Sequence, residues 1–495
     1  MASADAEIEA LRAAVGRHFS VYGVVVTPLA LTFQVNAPDG SIDGPFDRLR
    51  QELVPQNYIP TITRERGETL VHVQRRPTGR FARREVNAAL LVATILTTVV
   101  FGGAWNWSGY AGTPLWSLES LGWGALFFGI PLLTILGAHE MGHYVVARRY
   151  KVHASLPFFL PSFPPLGTFG AFISMRDPIP SRRALLDIGV SGPLVGFAIA
   201  IPVTLAGLAL SAGGAPPAVV AGALQSIEPS ILFNFLSLFF PLPDTYVMHP
   251  LAFAGWVGLF VTAINLLPAG QLDGGHVARA LLGDRQHYLS WSAVIALFVM
   301  GTFYFGWVIF GFLILMLGVR HPPPLNDLTR LDPLRKLVGV GAVAVLVLTF
   351  VPIPFSVVSV TADFAFEDLD GTRLTTLDAN VSMGASVLVT FAVNNTGGAR
   401  ERIGLAIDAP NLGSYGWTIV FVSGRIVSGN GTVSIPVNPL SVRFSLDGTQ
   451  HAVLEINVTA PAGPPPVVPE VTFLVGGSIE ETDIRKVLEV VLTVV

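Results

Sequence analysis

The sequence predicts a polytopic α-helical membrane protein of about seven transmembrane helices, with a small N-terminal α+β domain and a C-terminal β-sandwich domain. Of the 495 residues, 51% are hydrophobic and 13% are charged, which is about half the charged fraction of an average soluble protein. Apolar runs long enough to be helices lie between residues 86 and 352, whereas both ends of the chain are more polar. The expected domains are therefore residues 1–80, 86–352 and 360–495.

Composition excludes several kinds of site. The formal net charge is −4, and the chain lacks a basic tract of the kind that binds nucleic acid. It contains no cysteine, so thiolate zinc sites, disulfides and cysteine catalysis are excluded. A bound metal must therefore be held by histidine, aspartate or glutamate. The polar N-terminus lacks the profile of a cleavable signal peptide, and we expect the first apolar helix to direct insertion.

Residues 1–80 are expected to form the α+β domain. Apolar periodicity and turn residues predict two helices and four strands. The predicted elements are a helix over Ala6 to His18, strands over Val21 to Val26 and Ala30 to Val35, a helix from Asp43 to Leu53, and strands over Pro60 to Arg64 and Glu68 to Val73. No catalytic constellation occurs here, so we expect a regulatory or docking module.

The transmembrane topology follows from apolar length and basic residues. Seven spans are expected near residues 86–105, 122–147, 184–212, 251–267, 289–305, 306–319 and 337–352. Basic side chains that precede the first span place the N-terminus in the cytoplasm; they are Arg75, Arg76, Arg80, Arg83 and Arg84. An odd number of spans then places the tail outside a multi-pass cell membrane. Glycosylation sequons at Asn106, Asn380, Asn394, Asn430 and Asn457 all fall on the predicted exterior side and support this topology.

Two segments within the membrane region depart from a simple spanning helix. Residues 157–180 are rich in proline and glycine, too broken to span as a helix and too apolar for an ordinary loop. We expect this segment to dip into the membrane against other protein, where irregular backbone is tolerated. The third span contains Ser191, Gly192 and Gly196, small residues that allow another helix to approach closely.

Residues 360–495 alternate apolar and polar side chains in short runs, which is typical of strands. Strands are expected near residues 386–390, 417–422, 431–437, 451–458 and 471–475. A turn is expected over residues 394–398. The pattern resembles the immunoglobulin-like modules of many archaeal and bacterial surface proteins, and predicts a β-sandwich.

The second span carries an ionisable cluster. His139 and His143 are four positions apart, so in a helix they share a face and can both bind one Zn²⁺, while Glu140 can take a proton from a bound water. Such a cluster is costly in lipid and marks a functional site. A catalytic zinc normally has three protein ligands. Asp273 is the candidate third ligand, because the second and fourth spans end on the same predicted membrane side.

Other polar residues are weaker candidates for this site. We expect His153, His249, His276 and His287 to be loop or interfacial residues, with His276 kept as a possible support behind the ligands. Asp187 is a rival carboxylate, for which pairing with Arg182 or Arg183 is the simpler role. The alternative role for Glu140 is to orient a histidine.

The two motifs together resemble the site-2 protease family of intramembrane zinc metalloproteases. His139-Glu140-Met141-Gly142-His143 is paired with Asn265-Leu266-Leu267-Pro268-Ala269-Gly270-Gln271-Leu272-Asp273-Gly274, which meets the family pattern Asn-x-x-Pro-x-x-x-x-Asp-Gly. Residues 167–172 and 191–193 are similar to the branch without a PDZ domain that includes plant chloroplast members. The resemblance covers about residues 120–290. It implies a Zn²⁺ cofactor and regulated intramembrane proteolysis of a transmembrane protein substrate within the lipid bilayer.

This resemblance also suggests where a substrate binds. A peptide bond in a helix is shielded, so the substrate must unwind and pair its backbone with the enzyme. The extended segment from Gly167 to Ile173, with Gly167, Phe169 and Gly170 as the contact residues, is expected to pair with it by strand addition. Asn265 is expected to hold the substrate backbone, or else to cap a helix or bond a neighbouring span.

Alternative functions are a non-catalytic zinc-binding membrane scaffold, or a transporter. A transporter is expected to show repeated halves with broken helices, and the sequence shows no such repeat. A third alternative makes the β domain the functional part, but seven spans exceed what an anchor needs.

Overall fold

The computed structural model describes the chain with short gaps. The described residues are 2–27, 30–36, 42–76, 84–155, 157–173, 175, 177–213, 222–242, 248–360, 362–397, 400–410, 412–427, 433, 440–447, 450–464, 470–480 and 482–495. The chain divides into two compact units, one of Met1–Ala215 with Ile227–Phe355 and one of Pro216–Ser226 with Ser356–Val495.

The first unit begins with an α+β region. Its elements are α1 (Ala2–Gly16), β1 (Ser20–Val26), β2 (Leu31–Asn36), α2 (Asp43–Leu53), β3 (Tyr58–Glu65) and β4 (Glu68–Arg75). The strands form an antiparallel sheet in the order β1-β2-β4-β3. Alternate residues of the strands, such as Phe33 and Val71, are buried against Leu49 and Leu53 of α2. Burial of this one sheet face is the main stabilising contribution to the region.

Apolar helices make up the rest of the first unit. They are α3 (Arg84–Thr97), a π-helical segment (Thr98–Ala104), α4 (Trp105–Ala111), α5 (Leu118–Gly124), a second π-helical segment (Ala125–Gly129), α6 (Ile130–Arg149), α7 (Arg182–Gly213), α8 (Ile231–Ser237), α9 (Pro250–Leu266), α10 (Asp273–Leu282), α11 (Gln286–Met300), α12 (Gly306–Leu317) and α13 (Pro333–Thr349).

Three continuous helices among the described residues have the length and apolar composition to cross a membrane. They are Glu85–Ala111, Leu118–Arg149 and Arg182–Gly213, and α9 and α12 are shorter apolar helices. The protein is therefore a membrane protein with a β domain. The count of seven spans stays a prediction. A shared core of α6, α7 and α9, which includes Ile135, Ala200 and Trp256, fixes these three helices against one another.

The proline- and glycine-rich segment between α6 and α7 forms a hairpin. Its strands are β5 (Phe158–Pro161) and β6 (Thr168–Phe172). The Phe158 and Phe172 rings stack with centroids 5.4 Å apart. Thr97 Oγ1 donates a hydrogen bond to the Gly167 carbonyl at 2.7 Å, so the hairpin is attached to the helix that ends at Thr97.

The second unit is a β-sandwich flanked by a small sheet. Its strands are β7 (Gly222–Ile227), β8 (Phe355–Val360), β9 (Phe364–Glu367), β10 (Thr376–Val381), β11 (Ser386–Asn395), β12 (Glu401–Asp408), β13 (Thr418–Ile426), β14 (Ser441–Leu446), β15 (His451–Thr459), β16 (Glu470–Ile479) and β17 (Arg485–Val494). The sheets have the orders β10-β17-β16-β12-β14 and β13-β15-β11-β9, with β7 paired to β8. Inward residues of both larger sheets, among them Phe391, Phe421 and Phe473, share one core. Apart from Val433, the strand expected over residues 431–437 lies outside the described residues.

Candidate metal centre

Helix α6 supplies the two histidines. It is apolar along most of its length, has a proline in its first turn, and ends in Arg148 and Arg149, where cations favour the helix terminus. His139 and His143 lie one turn apart near that end, and each is 4% exposed. Two buried imidazoles therefore share one face of this helix.

Asp273 completes the cluster from another part of the chain. After α9 ends, a six-residue turn leads to Asp273, the first residue of α10. Gly270 in this turn has φ +54°, a left-handed conformation that favours glycine. A Cβ atom on Gly274 would lie 2.0 Å from the Leu266 carbonyl oxygen. The two glycines let the chain reverse tightly enough to bring the carboxylate to α6.

The three ligand atoms form a nearly equilateral triangle. His139 Nε2 and His143 Nε2 are 3.2 Å apart, and each lies 3.2 Å from Asp273 Oδ2. Ligand atoms about 2.0–2.1 Å from a tetrahedral zinc ion are about 3.3 Å from one another. The spacing and the donor set of two imidazole nitrogens and one carboxylate oxygen therefore fit Zn²⁺ with a fourth position open. This is the one such three-residue group found in the described part of the chain.

Helix α7 fixes the orientation of His143. His143 Nδ1 lies 2.7 Å from the Ile188 carbonyl oxygen, so Nδ1–H donates this bond and the Nε2 lone pair faces the ligand triangle. A Cβ atom on Gly192 would lie 2.1 Å from His143 Nε2. Glycine is therefore required where α7 passes the histidine. The small residues predicted to admit another helix face α6 at this position.

Glu140 lies beside the triangle. It is 4% exposed, and its Oε1 atom is 3.9 Å from His139 Nε2. The carboxylate also accepts a hydrogen bond from the backbone of Ile173, just after β6. Glu140 and the three ligands line the same cavity, so a carboxylate not used in the triangle is available next to it.

The cavity has a volume of about 590 Å³. Besides the four residues above, its lining includes Ala171, Phe172, Ile173, Met175, Asp177, Asn265, Gln271, His276, His321, Pro322, Pro323 and Pro324. The lining therefore combines helical residues, which carry the metal-ligand and glutamate side chains, with residues of extended segments. The volume suits a short peptide segment rather than a metal ion alone.

Of the four predicted substrate-contact residues, Asn265 lines this cavity, whereas the three on the hairpin are not part of its lining. Asn265 lines it, with Nδ2 3.4 Å from His139 Nε2. Gly167 has φ +74° and packs against the helix that ends at Thr97, and its carbonyl is already bonded there. Phe169 is 75% exposed, and Gly170 has φ +107°. The hairpin meets the cavity through the three residues that follow Gly170.

The other histidines do not join the triangle. His153 Nδ1 bonds Asp177 at 2.6 Å, His249 Nδ1 accepts from the Leu251 N–H at the start of α9, and His287 Nδ1 bonds the Asp284 carbonyl. His276 packs edge-on against His321, with ring centroids 4.4 Å apart. Burial lowers the pKa of His321 to about 3, so that ring is uncharged.

The expected pairing of Asp187 with Arg182 or Arg183 is wrong. Asp187 accepts hydrogen bonds from Arg335 Nη2 at 2.7 Å and from the Tyr150 hydroxyl at 2.6 Å. Arg182 instead donates to the Ala280 carbonyl at the end of α10. Burial and the hydrogen bond to Asp187 raise the pKa of Tyr150 to about 12. Asp187 therefore joins the end of α6 to α13.

The contribution of residues 321–324 to the cavity was not predicted from the sequence. The segment is His-Pro-Pro-Pro, a composition that indicates an extended linker. The local signal available was a single histidine beside the prolines. It does not indicate that this segment lines the same cavity as His276, which is 45 residues away along the chain.

Comparison with known proteins finds similarity in the helical region. Residues 127–309 match the model of Peptidase family M50. The chain is 34% identical over 241 residues to "Probable zinc metalloprotease EGY1, chloroplastic" of Oryza sativa subsp. japonica, a match that covers 45% of this chain and 40% of the relative. It is 35% identical over 248 residues to the Arabidopsis thaliana protein of the same name, covering 46% and 43%.

A second Arabidopsis thaliana protein, "Probable zinc metalloprotease EGY2, chloroplastic", is 29% identical over 228 residues, covering 45% of this chain and 41% of the relative. The matches thus span about two fifths of the length of these relatives. The range matched by the family model, residues 127–309, includes all three residues of the ligand triangle.

Proposed function

We propose that this protein is an intramembrane zinc metalloprotease. The premise is the match of residues 127–309 to Peptidase family M50, the site-2 protease family. The protein hydrolyses a peptide bond in or near a transmembrane segment of another membrane protein. The observation that carries the proposal is the meeting of His139, His143 and Asp273 in a triangle of 3.2 Å sides beside a buried glutamate.

Each residue has a separate role in this proposal. His139, His143 and Asp273 hold the metal, and the bond to the Ile188 carbonyl fixes the orientation of the His143 ring. A bound Zn²⁺ would supply Lewis acidity here, which polarises a carbonyl and lowers the pKa of water. Glu140 accepts the proton of that water and passes it to the leaving amine. Its position beside the triangle suits proton transfer better than metal binding.

The substrate segment enters in an extended form. Lipid offers no partners for the backbone groups of an unwound helix, so the protein must supply them. Strand β6 pairs with β5 along one edge, and its last residues reach the cavity. Strand addition at the other edge of β6, with Asn265 bonding a substrate peptide group, would satisfy that backbone.

The proposed orientation follows from charge. Basic residues precede the first apolar helix, which places the N-terminal region in the cytoplasm and, with seven spans, the C-terminal domain outside a multi-pass cell membrane. The plant relatives are named as chloroplastic. Protease protection of a C-terminal tag in sealed cells tests this topology, and digestion of the tag only after lysis would contradict it.

A non-catalytic zinc scaffold is the alternative from another class. A scaffold needs the ligands but has no use for Glu140. We therefore test the two together with Glu140→Gln, which is nearly isosteric. The full chain is purified in lipid nanodiscs, its zinc content is measured, and the membrane proteins that co-purify with it are identified and then offered to the wild-type chain.

We expect Glu140→Gln to keep zinc, retain membrane proteins that the wild-type chain cleaves, and lack cleavage itself. Cleavage of the same proteins by purified Glu140→Gln would exclude the proposed base. Zinc-loaded wild-type protein that leaves every co-purified membrane protein intact would favour the scaffold.

A further inference from the structure

Residues 321–329, which we call the strap, connect α12 to α13 and form part of the cavity wall. His321 and the three prolines after it line the cavity. The following residues contact the N-terminal α+β region, which belongs to the same compact unit. The strap therefore contacts the cavity on one side and the N-terminal region on the other.

Backbone pairing holds the strap between two segments. The Ile62 N–H in β3 donates to the Leu325 carbonyl at 2.9 Å, and the Leu325 N–H donates to the Ile179 carbonyl at 2.9 Å. Asn326 forms parallel bridges to both Ile62 and Ser181. Leu325 is 3% exposed and lies in the core of the N-terminal region. The strap thus extends the N-terminal sheet to the residue just before α7.

Asp43 is the side chain that joins this domain to the strap. Its Oδ1 atom accepts from Asn326 Nδ2 at 3.0 Å and from Thr329 Oγ1 at 2.9 Å. Its Oδ2 atom lies 3.4 Å from Arg183 Nη1, with the Asp43 side chain 42% exposed. Asn326 and Thr329 are themselves buried, so losing the Asp43 carboxylate would leave two buried polar groups without this partner and would weaken the docked contact.

Two more contacts reach elements that build the cavity. Arg50, 3% exposed, donates to the Tyr150 carbonyl at 3.1 Å, just past the end of α6, where a cation favours the helix terminus. Arg76 Nη2 lies 3.1 Å from Asp177 Oδ1, and Asp177 lines the cavity. The N-terminal region therefore contacts the ligand helix, the segment after the hairpin, and the strap.

We propose that the N-terminal domain is a positioning cap on the cavity. When docked, it holds the strap against the opening and limits which peptide segments enter; when undocked, it frees the strap and widens the opening. Asp43 and Asn326 are its positioning residues, and the metal ligands are outside its effect. The proposal rests on the proposed function only in taking the cavity as the substrate site.

The absence of cysteine from the chain allows a direct test. Met175, which lines the cavity, is changed to cysteine in the full chain, and its reaction with a polyethylene-glycol maleimide is timed. Loss of an Asp43 hydrogen bond to the strap, worth about 1 kcal/mol, is expected to speed labelling by about fivefold. Asp43→Ala removes the bonds from both Asn326 and Thr329, whereas Asn326→Ala removes the first of them, so both are expected to speed labelling and Asp43→Ala more strongly. Zinc content should stay unchanged.

Glu9→Gln is the matched control, because the Glu9 ion pair with Arg12 lies within α1. We expect its labelling rate to equal that of the Met175→Cys parent. Equal rates in Asp43→Ala, Asn326→Ala and the parent would overturn the proposal. Loss of zinc in both alanine variants would also overturn it, since the cap would then act on the metal site.

A second measurement covers the case in which an alanine variant does not fold. Asp43→Cys with Asn326→Cys places two thiols at a hydrogen-bonded contact, and a short flexible bis-maleimide is expected to link them in most of the protein. Failure of the pair to link in folded protein would show that the domain does not dock as described. Neither measurement uses cleavage, so a failed proposed function and a failed cap give different results.

Discussion

The two walls of the cavity are built in different ways. The inner wall consists of α6, α7 and α10, where the ligands are buried and the ligand atoms are held within 3.2 Å of one another. The outer wall consists of the end of the hairpin and the proline-rich strap, both of which are extended, and the strap is held in part by the partly exposed Asp43. Rigid helices hold the groups that need exact distances, whereas the outer wall is made of extended backbone.

Removing an inner-wall ligand is expected to have the largest effect. In His143→Ala or Asp273→Ala, two ligands remain, and we expect loss of zinc together with all cleavage, because a catalytic zinc needs three protein ligands. Zinc content of the purified protein measures this. Zinc retained at the wild-type level in both variants would show that the triangle is not the metal site.

Glu140→Gln is expected to separate chemistry from binding within the inner wall. Loss of a general base lowers a rate by about 10²–10⁴-fold, while zinc stays bound because Glu140 is outside the triangle. Cleavage rate and zinc content are measured on the same preparation. A rate within tenfold of wild type would assign Glu140 to orienting a histidine.

Gly192→Ala tests how tightly the inner wall is packed. The new Cβ would lie 2.1 Å from His143 Nε2, so the ring must move, and we expect zinc affinity to fall by about 10–100-fold, as for loss of a supporting contact. Competition with a zinc chelator measures the change. Gly341→Ala in α13 is the control, since nothing lies within 4 Å of its added Cβ. Equal affinity in the two variants would contradict the packing.

Tyr150→Phe is expected to have the smallest effect. The substitution removes one hydrogen bond to Asp187, just past the end of α6. The midpoint of thermal unfolding should therefore fall by the equivalent of about 0.5–1.5 kcal/mol. Zinc affinity should not change. A weaker zinc site in this variant would show that the contact supports the ligands rather than the helix end.

The inner wall was the part of the cavity that could be predicted from the sequence. The spacing of His139 and His143 fixes a shared helix face, and the cost of such groups in lipid singles them out. Asp273 was predicted as the third ligand because the second and fourth spans end on the same predicted side of the membrane. The close approach of another helix at Gly192 was predicted from the small residues of the third span.

The outer wall depends on contacts that no local pattern encodes. Asp43 and Asn326 are 283 residues apart in sequence, and the strap has the composition of a linker. The same limit explains the Asp187 error, because the nearest arginines in sequence were preferred over Arg335, 148 residues away. On the hairpin, the left-handed Gly167 and Gly170 turn the chain, so the cavity meets the residues that follow them.

X-ray absorption at the zinc edge, on the full chain loaded with one equivalent of Zn²⁺, tests the central claim most directly. The account predicts two imidazole nitrogens and oxygen ligands at about 2.0–2.1 Å in the wild-type chain, and no such two-imidazole site in His143→Ala, which is expected not to retain the metal. A zinc environment without imidazole, or one unchanged in His143→Ala, would contradict it.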